Sequence, residues 1–424
     1  MKHPEILAKM TLEEKASLCS GKDYWHTEEI RHAEVPSIML TDGPHGIRKR
    51  VEEKTSKDEK MSLKGVPAIC YPTASATACS WDTDLIYKMG EALGDECLKE
   101  QVSVLLGPGT NIKRSPLCGR NFEYFSEDPL LAGEMSAAFI NGVQSKGIGT
   151  SVKHFAANNQ ETRRMTVNTV VDERALREIY LAPFETAVKK SQPWTIMAAY
   201  ERLNGTYCAE NKWLLTDVLR TEWDFKGIVV TDWGAENDRV SGLLAGQELE
   251  MPSSNGVGNK QIVEAVKQGL VEESYLDELV DRLIDMALKG KAVLGEHTYD
   301  ADAHHKLARE IAGQCMVLMK NDNGILPLKK TAKLAVIGEM AKKPRYQGAG
   351  SSLINPMQLD SAFETLVQMG VEFQYAQGYS TAKKNKVSDD TFVAEAVEKA
   401  KNAETVLMFI GLTDDFETEG KDRK

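Results

Sequence analysis

Over residues 1–290, short apolar runs that end in a polar residue or glycine alternate with amphipathic stretches of helical length. The runs cover residues 37–41 before Asp42, 102–106 before Gly107, 148–152 before Lys153, 195–199 before Tyr200 and 227–231 before Asp232. Between them, Leu85, Met89, Leu93 and Cys97 recur at four-residue steps and predict a helix over 83–99, and a second helical period runs over 173–190. Strand-then-helix alternation on this scale predicts a TIM-type (β/α) barrel more than a doubly wound sheet. No fixed-period repeat is visible, which excludes a solenoid.

The alternation breaks at 290–303 and then restarts. The pattern divides the chain into a barrel over 1–290, a linker over 291–306 and an α/β unit over 307–424. In the last unit, Leu307, Ile311, Cys315, Leu318 and Met319 predict a helix, Asn321 to Gly324 a turn, and 334–337 a strand. Helices are expected near 358–369 and 390–402, and strands at 371–375 and 405–410. This is a parallel layer whose sites lie beyond the carboxyl ends of its strands. The charged run from Arg48 to Lys64 falls between elements and is expected to be a solvated loop.

Composition narrows the function class. Hydrophobic residues at 42% and charged residues at 27% are those of a globular chain with a large core. The net charge of −11 disfavours nucleic acid or an anionic membrane as partner. The start has no signal-peptide pattern and no segment is apolar over membrane-spanning length, so a cytoplasmic protein is expected. The seven cysteines are scattered without a Cys-x-x-Cys pair, which predicts thiols and neither a disulfide framework nor a metal site.

Barrel enzymes carry working groups where strands end. Asp42, Lys153 with His154, Tyr200 and Asp232 all fall at such ends. One polar residue there is ordinary turn chemistry; this many together point to a site. The set offers acids, cations and hydroxyl-binding groups, with neither a His-Glu-x-x-His metal pattern nor a Gly-x-Ser-x-Gly elbow. Two carboxylates acting on a sugar fit that inventory.

Eight ordered segments resemble a β-glucosidase of glycoside hydrolase family 3. They are LTDGPHGIR (40–48), GPGTNIKRSPLCGRNFEYFSEDP (107–129), KHFAANNQETRR (153–164) and VVDERALREIYLAPFE (170–185), followed by IMAAYERLNG (196–205), LRTEWDFKGIVVTDWGA (219–235), YQGAGSS (346–352) and FETEGKDR (416–423). The resemblance implies a barrel followed by an α/β sandwich, here partial, with the active site between them. It implies an exo-acting, retaining glucosidase with no metal or organic cofactor. Its substrates would be β-glucosides or short β-linked oligosaccharides, and homo-oligomers are compatible with it. Sister specificities such as β-xylosidase, and a non-catalytic sugar-binding relative, stay open.

Residue by residue, the resemblance makes Asp232 of the Thr-Asp-Trp motif the nucleophile and Glu419 the general acid, with Glu417 as the second candidate. Arg120, Lys153 and His154 are implied to bind sugar hydroxyls and to keep Asp232 ionised, with Asp42 accepting from hydroxyls across the ring. Arg48, Met197 and Tyr200 match family positions, and Trp233 offers a ring face. In the branch that cleaves N-acetylglucosaminides a later histidine is the acid; the text KHFAANN lacks it and favours the glutamate branch. Retention requires the two carboxyl groups about 5–5.5 Å apart. Because the chain stops at Lys424, soon after Glu419, it is expected to be a fragment. The strand at 405–410 should then be central, with an open apolar edge, the loop 412–424 mobile and Glu419 poorly placed.

Overall fold

The computed structural model describes residues 1–50, 65–329, 332–381 and 389–424. Five parallel strands lie side by side in the order β1 (Leu40–Asp42), β2 (Val104–Leu106), β3 (Gly149–Phe155), β4 (Thr195–Ala198) and β5 (Ile228–Thr231). All their residues are buried, as expected for strands covered on both faces. Single bridges carry the pairing onward from Val230 to Leu249, from Glu250 to Ser20, from Gly21 to Thr27 and from His26 to Met39, which precedes β1. Backbone pairing therefore returns to its starting strand, and the parallel sheet is wrapped into a ring.

The enclosing helices begin where short polar side chains satisfy free N–H groups. Asp82 accepts from Leu85 N–H at the start of α1 (Thr83–Lys99), and Asp128 accepts from Leu131 N–H ahead of α2 (Pro129–Gln144), where Pro129 takes a position that needs no N–H. The predicted helix over 173–190 forms with an interruption: a π-helical turn at Leu176–Leu181 precedes α3 (Ala182–Ser191). Pro183 has no N–H to give to the preceding turn, and the wider turn absorbs the missing bond.

Helix α4 (Glu273–Ala292) closes this part, and α5 (Ala301–Gln314) follows after a short gap. Ala308 and Ile311 of α5 are buried against the core that holds Leu93, Cys97 and Ile86 of α1. The helix stops before Leu318 and Met319, which were expected on it; Met316 to Met319 are exposed. Apolar spacing alone does not distinguish a helix face from an uncovered strip.

The C-terminal part holds three parallel strands, β6 (Leu334–Ile337), β7 (Phe373–Ala376) and β8 (Thr405–Met408), with α6 (Ala362–Gln368) and α7 (Asp389–Lys401). The order is β7–β6–β8, with Leu334 in register with both Phe373 and Thr405. The central strand is thus β6, all of whose residues are buried. The expected central strand at 405–410 is an edge instead, its side chains alternating between half-buried and exposed. Met408 and Ile410 beside it are 62% and 74% exposed.

The expectation of a solvated loop fails at the start of the charged run. Arg48 is buried, its guanidinium 3.8 Å from the Asp42 carboxylate, while 51–64 lies outside the described residues. All seven cysteines are free thiols, and no described helix is long and apolar enough to cross a membrane.

Candidate active site

A cavity of about 470 Å³ opens between the strand ends of the barrel and the segments 349–353 and 418–419. Nine of the expected residues line it: Asp42, Arg48, Lys153, His154, Met197, Tyr200, Asp232, Trp233 and Glu419. Arg120 is not in the lining. It is fully buried behind it, its Nε donating to Glu123 Oε2 at 2.8 Å and its Nη1 lying 3.8 Å from Glu419 Oε1. Glu417 points elsewhere, accepting from Arg423 Nη2 at 3.0 Å, and takes no part in the cavity.

The barrel side is built from adjacent strand ends. Asp42 closes β1, and its carboxylate lies 3.6 Å from Lys153 Nζ on β3, which is also 3.5 Å from Glu123 Oε1. His154 is next in β3, its backbone gripped on both sides by Asn111, which donates to His154 O and accepts from His154 N–H. Asn158 donates to the Tyr124 hydroxyl, which lies 3.2 Å from His154 Nδ1. Because Nε2 lies 3.5 Å from the acceptor-only Asp232 Oδ2, the tautomer that suits both neighbours carries its proton on Nε2 and accepts from Tyr124 at Nδ1. Burial, and then the neighbouring Arg120, Lys153 and Arg164, push His154 well below its ordinary pKa, so it is a neutral donor.

Asp232 follows β5, its N–H donating to Ala198 O and its Oδ1 accepting from Trp233 N–H at 2.7 Å. Oδ2 is buried with no hydrogen-bond partner, so one carboxylate oxygen is free for a reacting atom. Burial, aided by the nearby Glu419, raises the Asp232 pKa against the lowering by Arg120, Arg164 and Lys153. Asp42 is likewise pushed up to about 6, mainly by burial against Lys153 and Arg48. Tyr200 donates to Trp233 O at 3.0 Å, and Trp233 Nε1 to Tyr24 O at 2.8 Å, which fixes both rings. Trp25 leans on Trp233 with centroids 5.5 Å apart.

Glu419 arrives from the far end of the chain. Its Oε1 accepts from Arg164 Nη2 at 2.8 Å and its Oε2 from Ser351 N–H at 2.6 Å. Burial raises its pKa, but Arg120, Arg164 and Ser351 N–H outweigh that and hold the carboxyl far below the usual range. The segment expected to be loose is docked: Glu419 N–H bonds Ala349 O, Gly420 N–H bonds Glu161, and Arg423 N–H bonds Leu117 O.

Residues given no role from sequence also meet here. Arg164 and Glu161 sit in the segment 153–164, and Ser351 in 346–352, but nothing in their spacing says that they face Glu419. Tyr24, Trp25 and Arg50 line the rim with no strand-end signal. Arg48, Lys153 and Arg164 each face a carboxylate, whereas Arg50 lies over the Tyr24 and Trp25 rings; among the described residues no group of three or more His, Cys, Asp or Glu is arranged to hold a metal.

Residues 8–286 match the glycosyl hydrolase family 3 N terminal domain, and 316–424 match the glycosyl hydrolase family 3 C-terminal domain. The chain belongs to glycosyl hydrolase family 3. It is 54% identical to the thermostable beta-glucosidase B of Acetivibrio thermocellus, over 99% of this chain and 55% of that protein. It is 49% identical to an exo-alpha-(1->6)-L-arabinopyranosidase of Bifidobacterium longum, over 98% of this chain and 55% of that one. The crystal structure of a Bifidobacterium adolescentis GH3 beta-glucosidase superposes with a TM-score of 0.91 at 48% identity, covering 99% of this chain and 59% of that one. Beta-glucosidase 3B from Thermotoga neapolitana in complex with glucose gives 0.90 at 36% identity, covering 100% of this chain and 64% of that one. The chain thus spans about half the length of the curated relatives it matches.

Proposed function

We infer that this family 3 chain carries the working site of an exo-acting, retaining β-glucosidase. The observation behind this reading is that two carboxylates from distant parts of the chain, Asp232 after β5 and Glu419 from the C-terminal loop, line one cavity among hydroxyl-binding groups. The free Oδ2 of Asp232 attacks the anomeric carbon as the bond from that carbon to the leaving oxygen breaks. Glu419 gives its proton to the leaving oxygen. Water then attacks the glycosyl ester, Glu419 takes the water's proton, and Asp232 is released as a carboxylate with configuration retained.

Asp42 and Lys153 grip hydroxyls on one side of the ring, charged partners giving stronger bonds than neutral ones. His154, neutral, donates from Nε2 without adding charge beside Asp232. Arg120 and Arg164 favour Glu419 as an anion, the form needed for the second half-reaction. The first half-reaction needs the acid, so the entering glycoside must loosen the Arg164 contact, with Glu161 and the Tyr200 ring, 4.6 Å from the guanidinium, ready to hold Arg164.

The similarity to an exo-alpha-(1->6)-L-arabinopyranosidase supports a second specificity, an α-L-arabinopyranoside, which lacks the C6 group and differs in one hydroxyl orientation. A β-xyloside is the same question without that inversion. The test is turnover of matched aryl β-D-glucoside, β-D-xyloside and α-L-arabinopyranoside, with Asp232→Asn as the inactive control. Preference for the glucoside supports the proposal. Preference for either pentoside reassigns the specificity, and no turnover with intact sugar binding makes the chain a binding module.

A further inference from the structure

The last regular strand, β8, ends at Met408, so no strand or helix fixes the position of Glu419. Besides its own bonds to Ala349, Arg164 and Ser351, it is held by a set of bonds made by the residues that follow. The Asp422 carboxylate accepts four hydrogen bonds from three backbone N–H groups on two separate barrel loops. Gly119 N–H reaches Oδ1 at 3.1 Å, Glu161 N–H reaches Oδ1 at 2.9 Å and Oδ2 at 3.1 Å, and Thr162 N–H reaches Oδ2 at 2.8 Å. Glu161 returns the contact, its Oε2 accepting from Gly420 N–H at 2.7 Å and from Arg164 Nη1 at 2.9 Å. The fit is tight as well as polar: a Cβ on Gly119 would stand 1.8 Å from Lys421 O and 2.4 Å from Thr418 O.

We propose that Asp422 is a positioning residue for the acid step, clamping the Glu419 loop onto the barrel loops at Gly119 and Glu161–Thr162 so that the proton donor stands at the correct distance from Asp232. The inference rests on the reading of Glu419 as general acid. Asp422 touches neither the cavity nor the reacting atoms. A carboxylate is suited to the task because it accepts several N–H groups at once, and charge-assisted bonds are the stronger ones. An amide at the same place keeps one acceptor oxygen and loses the charge. The loop then keeps the Ala349 and Leu117 backbone bonds, the Glu161 contact and the Arg164 and Ser351 bonds of Glu419 itself, but loses its strongest tie to the Gly119 and Glu161–Thr162 loops, and a carboxyl displaced by about 1 Å costs on the order of a hundredfold in proton transfer.

The test compares kcat/KM of the full-length protein on phenyl β-glucoside, whose leaving group needs a proton, and on 2,4-dinitrophenyl β-glucoside, whose leaving group does not. Asp422→Asn and, independently, Gly119→Ala are expected to lose about 10- to 100-fold on the phenyl substrate and about threefold or less on the dinitrophenyl one. On the latter, kcat and KM should fall together as the glycosyl intermediate accumulates. Glu419→Ala marks the limit of the pattern. Should Asp422→Asn fail to fold, Gly119→Ala carries the test, since it changes no charged or hydrogen-bonding group. Equal losses on both substrates, or none on either, with the pattern intact in Glu419→Ala, overturn the clamp alone. Equal losses in Glu419→Ala overturn the acid assignment and the clamp with it.

Discussion

Arg164 donates to Glu419 through Nη2 at 2.8 Å and to Glu161 through Nη1 at 2.9 Å, so one guanidinium joins the proposed acid to the barrel loop beside it. Arg120, with Nη1 at 3.8 Å, and then Arg164 outweigh burial and hold the Glu419 carboxyl far below the usual carboxylate range. The carboxyl proposed as the proton donor thus sits between two cations that favour its conjugate base.

Removing Arg164 changes the pH profile in a defined direction. Loss of a neighbouring cation raises a carboxyl pKa by about one to three units. The first half-reaction needs protonated Glu419, so its alkaline limb follows that pKa. In Arg164→Gln the alkaline limb of kcat/KM on an aryl glucoside should move to higher pH by about one unit or more. A limb that stays in place, or moves to lower pH, contradicts the assignment.

Asp42 has a raised pKa, about 6, which places its charge change in an accessible range. As a carboxylate it accepts from sugar hydroxyls; below its pKa the proton removes that charge. Product inhibition by glucose should weaken as pH falls through about 6, approaching tenfold per unit well below it. Inhibition constants measured from pH 4.5 to 8 should show this slope in the native protein and a flat line in Asp42→Asn. A slope that persists in Asp42→Asn assigns the titration to another group.

Asp232→Asn removes the proposed nucleophile while leaving the Trp233 N–H with an oxygen to bond. Turnover should fall by at least about 10⁴-fold, as when other covalent nucleophiles are removed. In the native protein, NMR of the first sugar released from a β-glucoside should show the β-anomer. Release of the α-anomer first would contradict double displacement.

The strand-end residues were legible in the sequence because each follows an apolar run at the point where a barrel rim forms. Asp42, Lys153, His154 and Asp232 needed only that rule, and the family motifs supplied Glu419. Arg164 and Ser351 were invisible in function because their partner is more than sixty residues away in the chain, and spacing carries no information about such contacts. The same limit explains β8: Val406, Leu407 and Met408 make it nearly as apolar as β6, but the order of strands is set by which faces are covered. Pro183 is a local signal that was available and accounts for the π-helical turn. Arg120, a motif residue that the resemblance assigns to the sugar, lies just outside the cavity lining, its Nε on Glu123 and its Nη1 without a hydrogen-bond partner.

Outside the cavity, the docking of α5 on α1 depends on a buried carboxylate. Glu96 Oε1 accepts from the Tyr71 hydroxyl at 2.9 Å and faces His304 Nδ1 at 3.0 Å, while Oε2 has no hydrogen-bond partner. Burial raises the Glu96 pKa, against the lowering by His304 and Tyr71. A carboxyl whose folded pKa lies above its unfolded one contributes stability below the unfolded value, lost as pH rises through the folded value. His304→Ala removes the partner that opposes burial, so it raises the folded Glu96 pKa further and should destabilise by about 3 kcal/mol near neutral pH and least near pH 4.5. Urea unfolding midpoints across that range measure the effect. Glu96→Gln has no charge to strand, so in that background His304→Ala should cost about 1 kcal/mol or less, with no pH dependence. Equal costs in both backgrounds would mean that His304 acts through its packing on Tyr299, whose ring is stacked 4.8 Å away, and that the ion pair contributes nothing to holding α5 in place.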